Sequence, residues 1–136
     1  MIKLLIPILI VSIACGNGNK AIQQARLDEV MAIHDALMPH MGTIRNLQKD
    51  IKTKVELIAS IDCTGNGQAE LEILSRDLSE ANENMMKWMR SFSRPSNKKS
   101  HQEIMDYYTQ EFDNINAVKK QMLDAVENGR QGLGQH

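Results

Sequence analysis

Apolar residues recur along this chain in alternating steps of three and four, and this spacing constrains the fold more than any other feature. The first run consists of Leu27, Val30, His34, Leu37, Met41, Ile44, Gln48, Ile51, Val55 and Ile58, in which only His34 and Gln48 are polar. Such spacing turns one face of a helix toward a partner. It predicts a first helix over residues 20–61.

Two shorter seams with the same spacing follow. The second is Leu71, Leu74, Leu78, Ala81, Met85, Met89 and Phe92, with Trp88 at its flank, and the third is Ile104, Tyr108, Ile115, Val118, Met122 and Ala125. Turn-forming residues over 62–68 and a polar segment containing Pro95 separate the three seams. No alternation typical of strands competes with this pattern.

The short connections predict how the helices pack. Loops of about six to eight residues make neighbouring helices antiparallel. The chain is therefore predicted to be all-α, with an antiparallel, coiled-coil-like three-helix bundle over residues 21–128. Gly129, Gly132 and Gly134 disfavour a helix and predict a disordered tail over 129–136.

Antiparallel packing also predicts which residues lie at the same level. In the first hairpin, opposite residues should have numbers that sum to about 129, which places Met41 near Trp88 and Met89. In the second hairpin the sum is about 194, which places Met89 near Met105. The first helix, roughly 60 Å long, should extend past its partners at its N-terminal end. That end would be either disordered or an apolar strip for another molecule.

The N-terminal segment predicts export. Its apolar run, from Leu4 to Ala14, is shorter than the roughly 20 residues that span a bilayer as a helix, so residues 1–14 are predicted to be a signal peptide. The run ends in Ser12-Ile13-Ala14-Cys15, which resembles a bacterial lipoprotein signal. The resemblance implies a covalent lipid such as palmitate on Cys15, and residues 15–20 would be a flexible tether. The alternative is an ordinary secretory signal cleaved near Ala14.

The composition of the mature chain indicates which partners and activities are not expected. This chain would carry 15 basic and 17 acidic side chains, and nothing in this balance points to a nucleic-acid partner. Cys63 would be its one remaining thiol, so no disulfide is expected within the chain. No nucleophile, base and orienting acid are spaced to meet, so we expect no enzymatic activity. Gly16 does not supply an inner-membrane retention residue, which favours the outer membrane and a bundle facing the periplasm.

The stretch MAIHDALMPHMG, residues 31–42, concentrates methionine and histidine. On an ideal helix His34, Met38 and Met41 lie within about 60° of one another. With Met89 they form a candidate soft-metal site, because thioether and imidazole ligands suit Cu(I). The alternative is that the methionines fill an irregular core around a bend at Pro39. Core filling is the commoner role of such residues, and no other cofactor is expected.

A basic segment lies near the end of the second predicted helix. It contains Lys87, Arg90, Arg94, Lys98 and Lys99, with no acidic residue between Glu83 and Glu103. The predicted topology places this segment at the membrane end of the bundle, where cations would contact an anionic surface. A solvated surface and favourable interaction with the helix dipole are the alternatives.

Two motifs, MAIHDALMPHMGTIRNL over 31–47 and ANENMMKWMRSF over 81–92, carry a resemblance to a known family. Together with the lipoprotein start, they resemble small uncharacterised envelope lipoproteins of Bacteroidota, some of which are labelled "viral A-type inclusion protein". The resemblance does not extend to the third helix. It implies an envelope lipoprotein and little about activity. From the predicted bundle and anchor we expect a lipid-anchored envelope protein that acts as a helical binding or structural module. The alternatives are a periplasmic Cu(I)-binding bundle and a protein that associates with itself through its first helix.

Overall fold

The chain folds into three long helices. The computed structural model describes residues 16–61 and 67–135, with side chains from residue 18 onward. Helix α1 spans Gly16–Ile61, α2 spans Gln68–Ser91 and α3 spans His101–Leu133, and the described residues contain no strand. All three helices pack against one another, which confirms the predicted all-α three-helix bundle. No helix among the described residues is long and apolar enough to cross a membrane.

The predicted seams form the core. Its most completely buried side chains are Val30, Leu37, Ile44, Ile51, Leu78, Met85, Ile115 and Met122. A smaller cluster of Leu27, Ile104 and Tyr108 continues the core toward the N-terminal end of α1. Trp88 is buried with the main cluster rather than lying at its flank. No polar or charged residue is buried in the described part of the chain, so apolar packing is the main contribution to stability.

Local sequence signals fix two of the helix starts. Gly67 precedes α2 with φ 83°, a left-handed conformation that glycine adopts without steric cost. Ser100 caps α3 through a capping box, in which its hydroxyl accepts from the Glu103 amide and the Glu103 carboxylate accepts from the Ser100 amide. The helix α1 continues without interruption through Pro39.

The second hairpin has a different register from the predicted one. Leu78 packs beside Gly129, and Asn84 donates to Gln121, so opposite residues have numbers that sum to 207 and 205. The predicted sum of about 194 is therefore wrong by about 12 residues, or roughly 18 Å along a helix. Helices α1 and α3 are offset by 78 residues, as the contacts of Gln23 with His101 and of Lys54 with Gly132 show.

The connection between α2 and α3 explains this shift. Residues 92–96 have no regular secondary structure and run along the bundle before the chain turns at 96–99, and five extended residues span up to about 18 Å. The offset of 78 places Met105 at the level of Leu27, far from Met89. In the first hairpin the ring that faces Trp88 is His34, two turns before Met41. The predicted proximity of Met89 to Met105 is corrected accordingly, whereas Met41 and Met89 both pack against the core cluster that contains Trp88.

Both ends of the bundle are more helical than expected. Residues 16–20, predicted as a flexible tether, form the start of α1. At the other end, the predicted disordered tail over 129–136 is helical as far as Leu133. Gly129 is buried against Leu78, and the absence of a side chain there lets α3 approach α2 closely. Close packing thus offsets the low helix propensity of these glycines.

Candidate functional site

Charge is unevenly distributed between the two ends of the bundle. We call residues 18–27 of α1, the connection 92–100 and residues 101–105 of α3 the basal surface. It carries five Lys or Arg side chains, Lys20, Arg26, Arg94, Lys98 and Lys99, and one acidic residue, Glu103. The other described residues, 28–61, 67–91 and 106–135, carry ten basic and fifteen acidic side chains. The basal surface therefore has a net positive charge. The other described residues, which we call the body of the bundle, have a net negative charge.

The connection 92–100 is held in place at both of its ends. The Phe92 ring stacks on Trp88 at a centroid distance of 5.0 Å, and the Ser93 amide donates to the Tyr107 hydroxyl at 3.1 Å. Closer to α3, the Lys99 amide donates to the Ser96 carbonyl at 3.0 Å. These contacts fix the backbone that carries the basic residues of the connection.

The basal surface contains a cleft between α1, the connection and α3. It consists of two adjoining depressions of about 330 and 350 Å³ that share Lys20, Gln23, Asn97 and Ile104. Arg94 lines one depression and Lys99 the other, while apolar lining comes from Leu27, Ile104, Pro95 and the ring of Tyr108. The cleft thus combines cationic groups with a partly apolar lining.

The cations of the cleft are not neutralised by neighbouring acids. Within the described parts of the chain, no carboxylate lies within 4.0 Å of the charged groups of Lys20, Arg94 or Lys99. The nearby Glu103 carboxylate accepts from the Ser100 hydroxyl at 2.7 Å and from its amide at 2.8 Å. These hydrogen bonds, with a smaller contribution from Lys99, lower the pKa of Glu103. The Glu103 carboxylate therefore caps α3, and its negative charge acts on Lys99 only at longer range.

Tyr108 and His101 contribute further polar groups to the cleft. Burial raises the pKa of Tyr108, although the positive charge of Arg94 acts in the opposite direction. The hydroxyl of Tyr108 is therefore neutral at physiological pH. His101 Nδ1 lies 2.9 Å from the Gln23 side-chain nitrogen, and this hydrogen bond ties α1 to the first residue of α3. The cleft can thus offer cations and neutral hydrogen-bond donors to an anion.

The predicted basic segment divides into two groups. Arg94, Lys98 and Lys99 belong to the basal surface, whereas Lys87 borders a groove between α2 and α3 beside Asn114 and Gln121. Arg90 lies 3.7 Å from Glu83 on the exposed side of α2. Lys20 completes the basic group, and sequence inspection missed it because it lies more than 70 residues before Arg94 in the chain. The signal that could have identified Lys20 is the charge balance at each end of the correctly registered bundle.

The methionine and histidine residues are arranged around the core rather than at one point. His34 Nδ1 lies 2.8 Å from Asp35, and its ring lies 5.8 Å from that of Trp88. Met41 and Met89 are partly buried against the main core. Met38 is 40% exposed, since the adjacent Leu37 occupies the core position and successive helical side chains point about 100° apart. Met38 thus points away from the core that Met41 and Met89 contact.

No cluster of three or more His, Cys, Asp or Glu side chains suited to a metal ion occurs among residues 16–61 and 67–135. The predicted lipidation site, Cys15, lies outside the described residues, as does Cys63. Comparison of the chain with protein-family models, curated proteins and solved structures gives no match. The fold and the site define a three-helix bundle with a basic cleft at the end from which the predicted anchor would extend.

Proposed function

We propose that this protein is a lipid-anchored helical module of the bacterial cell envelope, attached through Cys15 and standing on the membrane by its basal surface. The observation that carries this proposal is the position of the basic charge. It is concentrated at the end of the bundle where α1 begins, and α1 begins at Gly16, the residue after Cys15. A cation near an anionic membrane surface contributes about 1 kcal/mol of binding free energy.

The short distance between anchor and bundle supports the same orientation. Because residues 16–20 are helical, Lys20 lies only about 6 Å along the axis from Gly16. This distance is within the Debye length of about 8 Å at physiological ionic strength, so lipid charges would act on the basal surface. An outer-membrane location facing the periplasm, and an acidic body available to a protein partner or a second copy, complete the proposal. The resemblance to envelope lipoproteins is consistent with it.

Metabolic labelling tests the anchor. The full chain is expressed in a bacterial host with an alkyne analogue of palmitate, and label and membrane fractionation are measured. We expect labelled protein in the membrane fraction, resistant to a high-salt wash. Cys15→Ala should lose the label, whereas the matched control Cys63→Ala should keep it. Unlabelled wild-type protein, or label that persists in Cys15→Ala, would contradict the proposal.

The Cu(I)-binding alternative has weaker support. Met41 and Met89 contact the same core cluster, but Met38 is exposed and His34 engages Asp35 through Nδ1. A tight site for a soft metal needs its ligands to converge at one point. The geometry favours a role for Met41 and Met89 in core packing.

A further inference from the structure

We infer that the cleft of the basal surface is a binding site for the phosphate of an anionic membrane lipid, contacted by Lys20, Arg94 and Lys99. This inference rests on the proposed anchor at Cys15, because the anchor brings the cleft to the headgroup region. It adds a defined ligand chemistry, and it assigns the contact to residues from three separate elements of the fold. It also attributes the orientation of the bundle, with its basal surface on the membrane, to headgroup binding and not to the acyl chain alone.

The basic side chains of the cleft are available to bind an anion. Lys20, Arg94 and Lys99 border one continuous cleft, and none of them has a carboxylate within salt-bridge distance among the described residues. On the body of the bundle Lys52, Arg76, Arg90 and Lys120 have acidic neighbours within 4.0 Å. Other basic side chains there, such as Arg45 and Lys49, have none in the part of the chain that the structure describes. Lys20, Arg94 and Lys99 differ from them in bordering one cleft together. Cations left free around a concave surface attract an anion more strongly than isolated surface cations do.

The lining of the cleft suits a phosphate that carries apolar groups. An arginine guanidinium donates two parallel hydrogen bonds to a phosphate, and lysine adds point charges that need no fixed geometry. Leu27, Pro95 and Ile104 supply an apolar part of the lining that a highly hydrated free anion would not use. A phosphate attached to glycerol and acyl chains uses both parts. The lining therefore favours a lipid headgroup over inorganic phosphate.

Hydrogen bonds and ring stacking fix the backbone around the cleft. The connection that carries Arg94 is fixed by the Ser93 amide and the stacked ring of Phe92, and α1 is joined to α3 by Gln23 and His101. The cations are therefore largely positioned before the ligand arrives, which lowers the conformational entropy lost on binding.

Lysine reactivity on vesicles tests this inference. The acylated protein is bound to vesicles of phosphatidylcholine alone, or of phosphatidylcholine with one third phosphatidylglycerol, and the acetylation rate of each lysine is measured by mass spectrometry. We expect Lys20 and Lys99 to react at least fivefold more slowly on the anionic vesicles. Lys52, which is 78% exposed near the opposite end of α1, should react at the same rate on both. Equal rates for Lys20 and Lys99 on the two vesicle types would overturn the inference.

A matched pair of variants shows whether the cleft itself is responsible. In the first, Lys20, Arg94 and Lys99 are replaced by Gln, and Lys98 is the reporter. Lys98 should be protected by anionic vesicles in the wild-type chain and unprotected in this variant.

The control replaces one Arg and two Lys on the body of α1, namely Arg45, Lys49 and Lys52, and has the same change in net charge. It should keep the protection of Lys98. Loss of protection in both variants would attribute the effect to net charge and overturn the assigned site.

Two further measurements distinguish a lipid headgroup from inorganic phosphate and the anchor from the cleft. Inorganic phosphate, at equal ionic strength on phosphatidylcholine vesicles, should protect Lys20 less than twofold. Protection equal to that of phosphatidylglycerol would overturn the assignment to a lipid headgroup. Co-sedimentation with phosphatidylcholine vesicles reports the anchor independently. A chain that sediments without protection of Lys20 overturns the inference alone, whereas a chain that does not sediment overturns the proposed function as well.

Discussion

The register of α2 against α3 leads to a prediction that a double-mutant cycle can measure. A methyl group at Gly129 would lie 3.2 Å from Leu78 Cδ1 and 3.4 Å from Leu47 Cδ1. Alanine gains about 1 kcal/mol of helix propensity over glycine, but overpacking a core costs about 1–3 kcal/mol. Gly129→Ala alone should therefore lower the free energy of unfolding by about 1 kcal/mol.

The effect of the same substitution should reverse when Leu78 is shortened. Leu78 is fully buried, so Leu78→Ala should cost about 3 kcal/mol through lost burial and a cavity. The cavity removes the closest contact of the new methyl group, so Gly129→Ala should then stabilise by about 1 kcal/mol. The coupling energy between the two sites is thus predicted to be about 2 kcal/mol.

Urea unfolding followed by circular dichroism at 222 nm measures all four free energies. Gly42→Ala is the matched control, because no heavy atom beyond its local backbone lies within 4 Å of a methyl group there. It should stabilise the wild-type chain and Leu78→Ala equally, by about 1 kcal/mol. A coupling below about 0.5 kcal/mol between Leu78 and Gly129, which is typical of distant sites, would refute the register.

Three further predictions concern the cap of α3 and the methionines. Ser100→Ala should cost about 1 kcal/mol in urea unfolding, because it removes the capping hydroxyl; no loss would contradict the cap. The lowered pKa of Glu103 means that its contribution is present above its ordinary value of 4.5 and is lost as pH falls through the folded value. The pH dependence of stability in this range should weaken in Glu103→Gln, and an unchanged profile would contradict that role. Competition with a Cu(I) chelator should show no binding tighter than micromolar; stoichiometric tight binding that Met41→Leu abolishes would restore the metal site.

The sequence predicted the fold because the information for it is local. Steps of three and four identify which side of each helix is apolar, and turn-forming residues mark where the helices end. The predicted first helix over 20–61 lies within α1, which spans Gly16–Ile61. The prediction of a disordered tail from the low helix propensity of glycine failed at Gly129, because packing against Leu78 outweighs that propensity. Helix propensity is assigned to each residue separately and does not include tertiary packing.

The register was not predictable in the same way. A connection that contains Pro95 can turn tightly or run along the bundle, and periodicity does not distinguish the two paths. The path of residues 92–100 shifts α3 by about three turns, which moves Met105 away from Met89. The same path brings Lys20 beside Arg94 and leaves Lys87 on the body. The assignment of Lys20 to the candidate site therefore depended on a long-range contact that no short motif encodes.

The placement of the basal surface against an anionic membrane is most directly tested by paramagnetic broadening of backbone amide signals. The acylated protein is incorporated into lipid nanodiscs that contain phosphatidylglycerol and a lipid with a paramagnetic headgroup. We expect strong broadening for residues 19–24 and 94–104, and sharp signals for residues 55–61 at the opposite end of α1. Equal intensities at both ends, or broadening confined to residues 55–61, would contradict this placement.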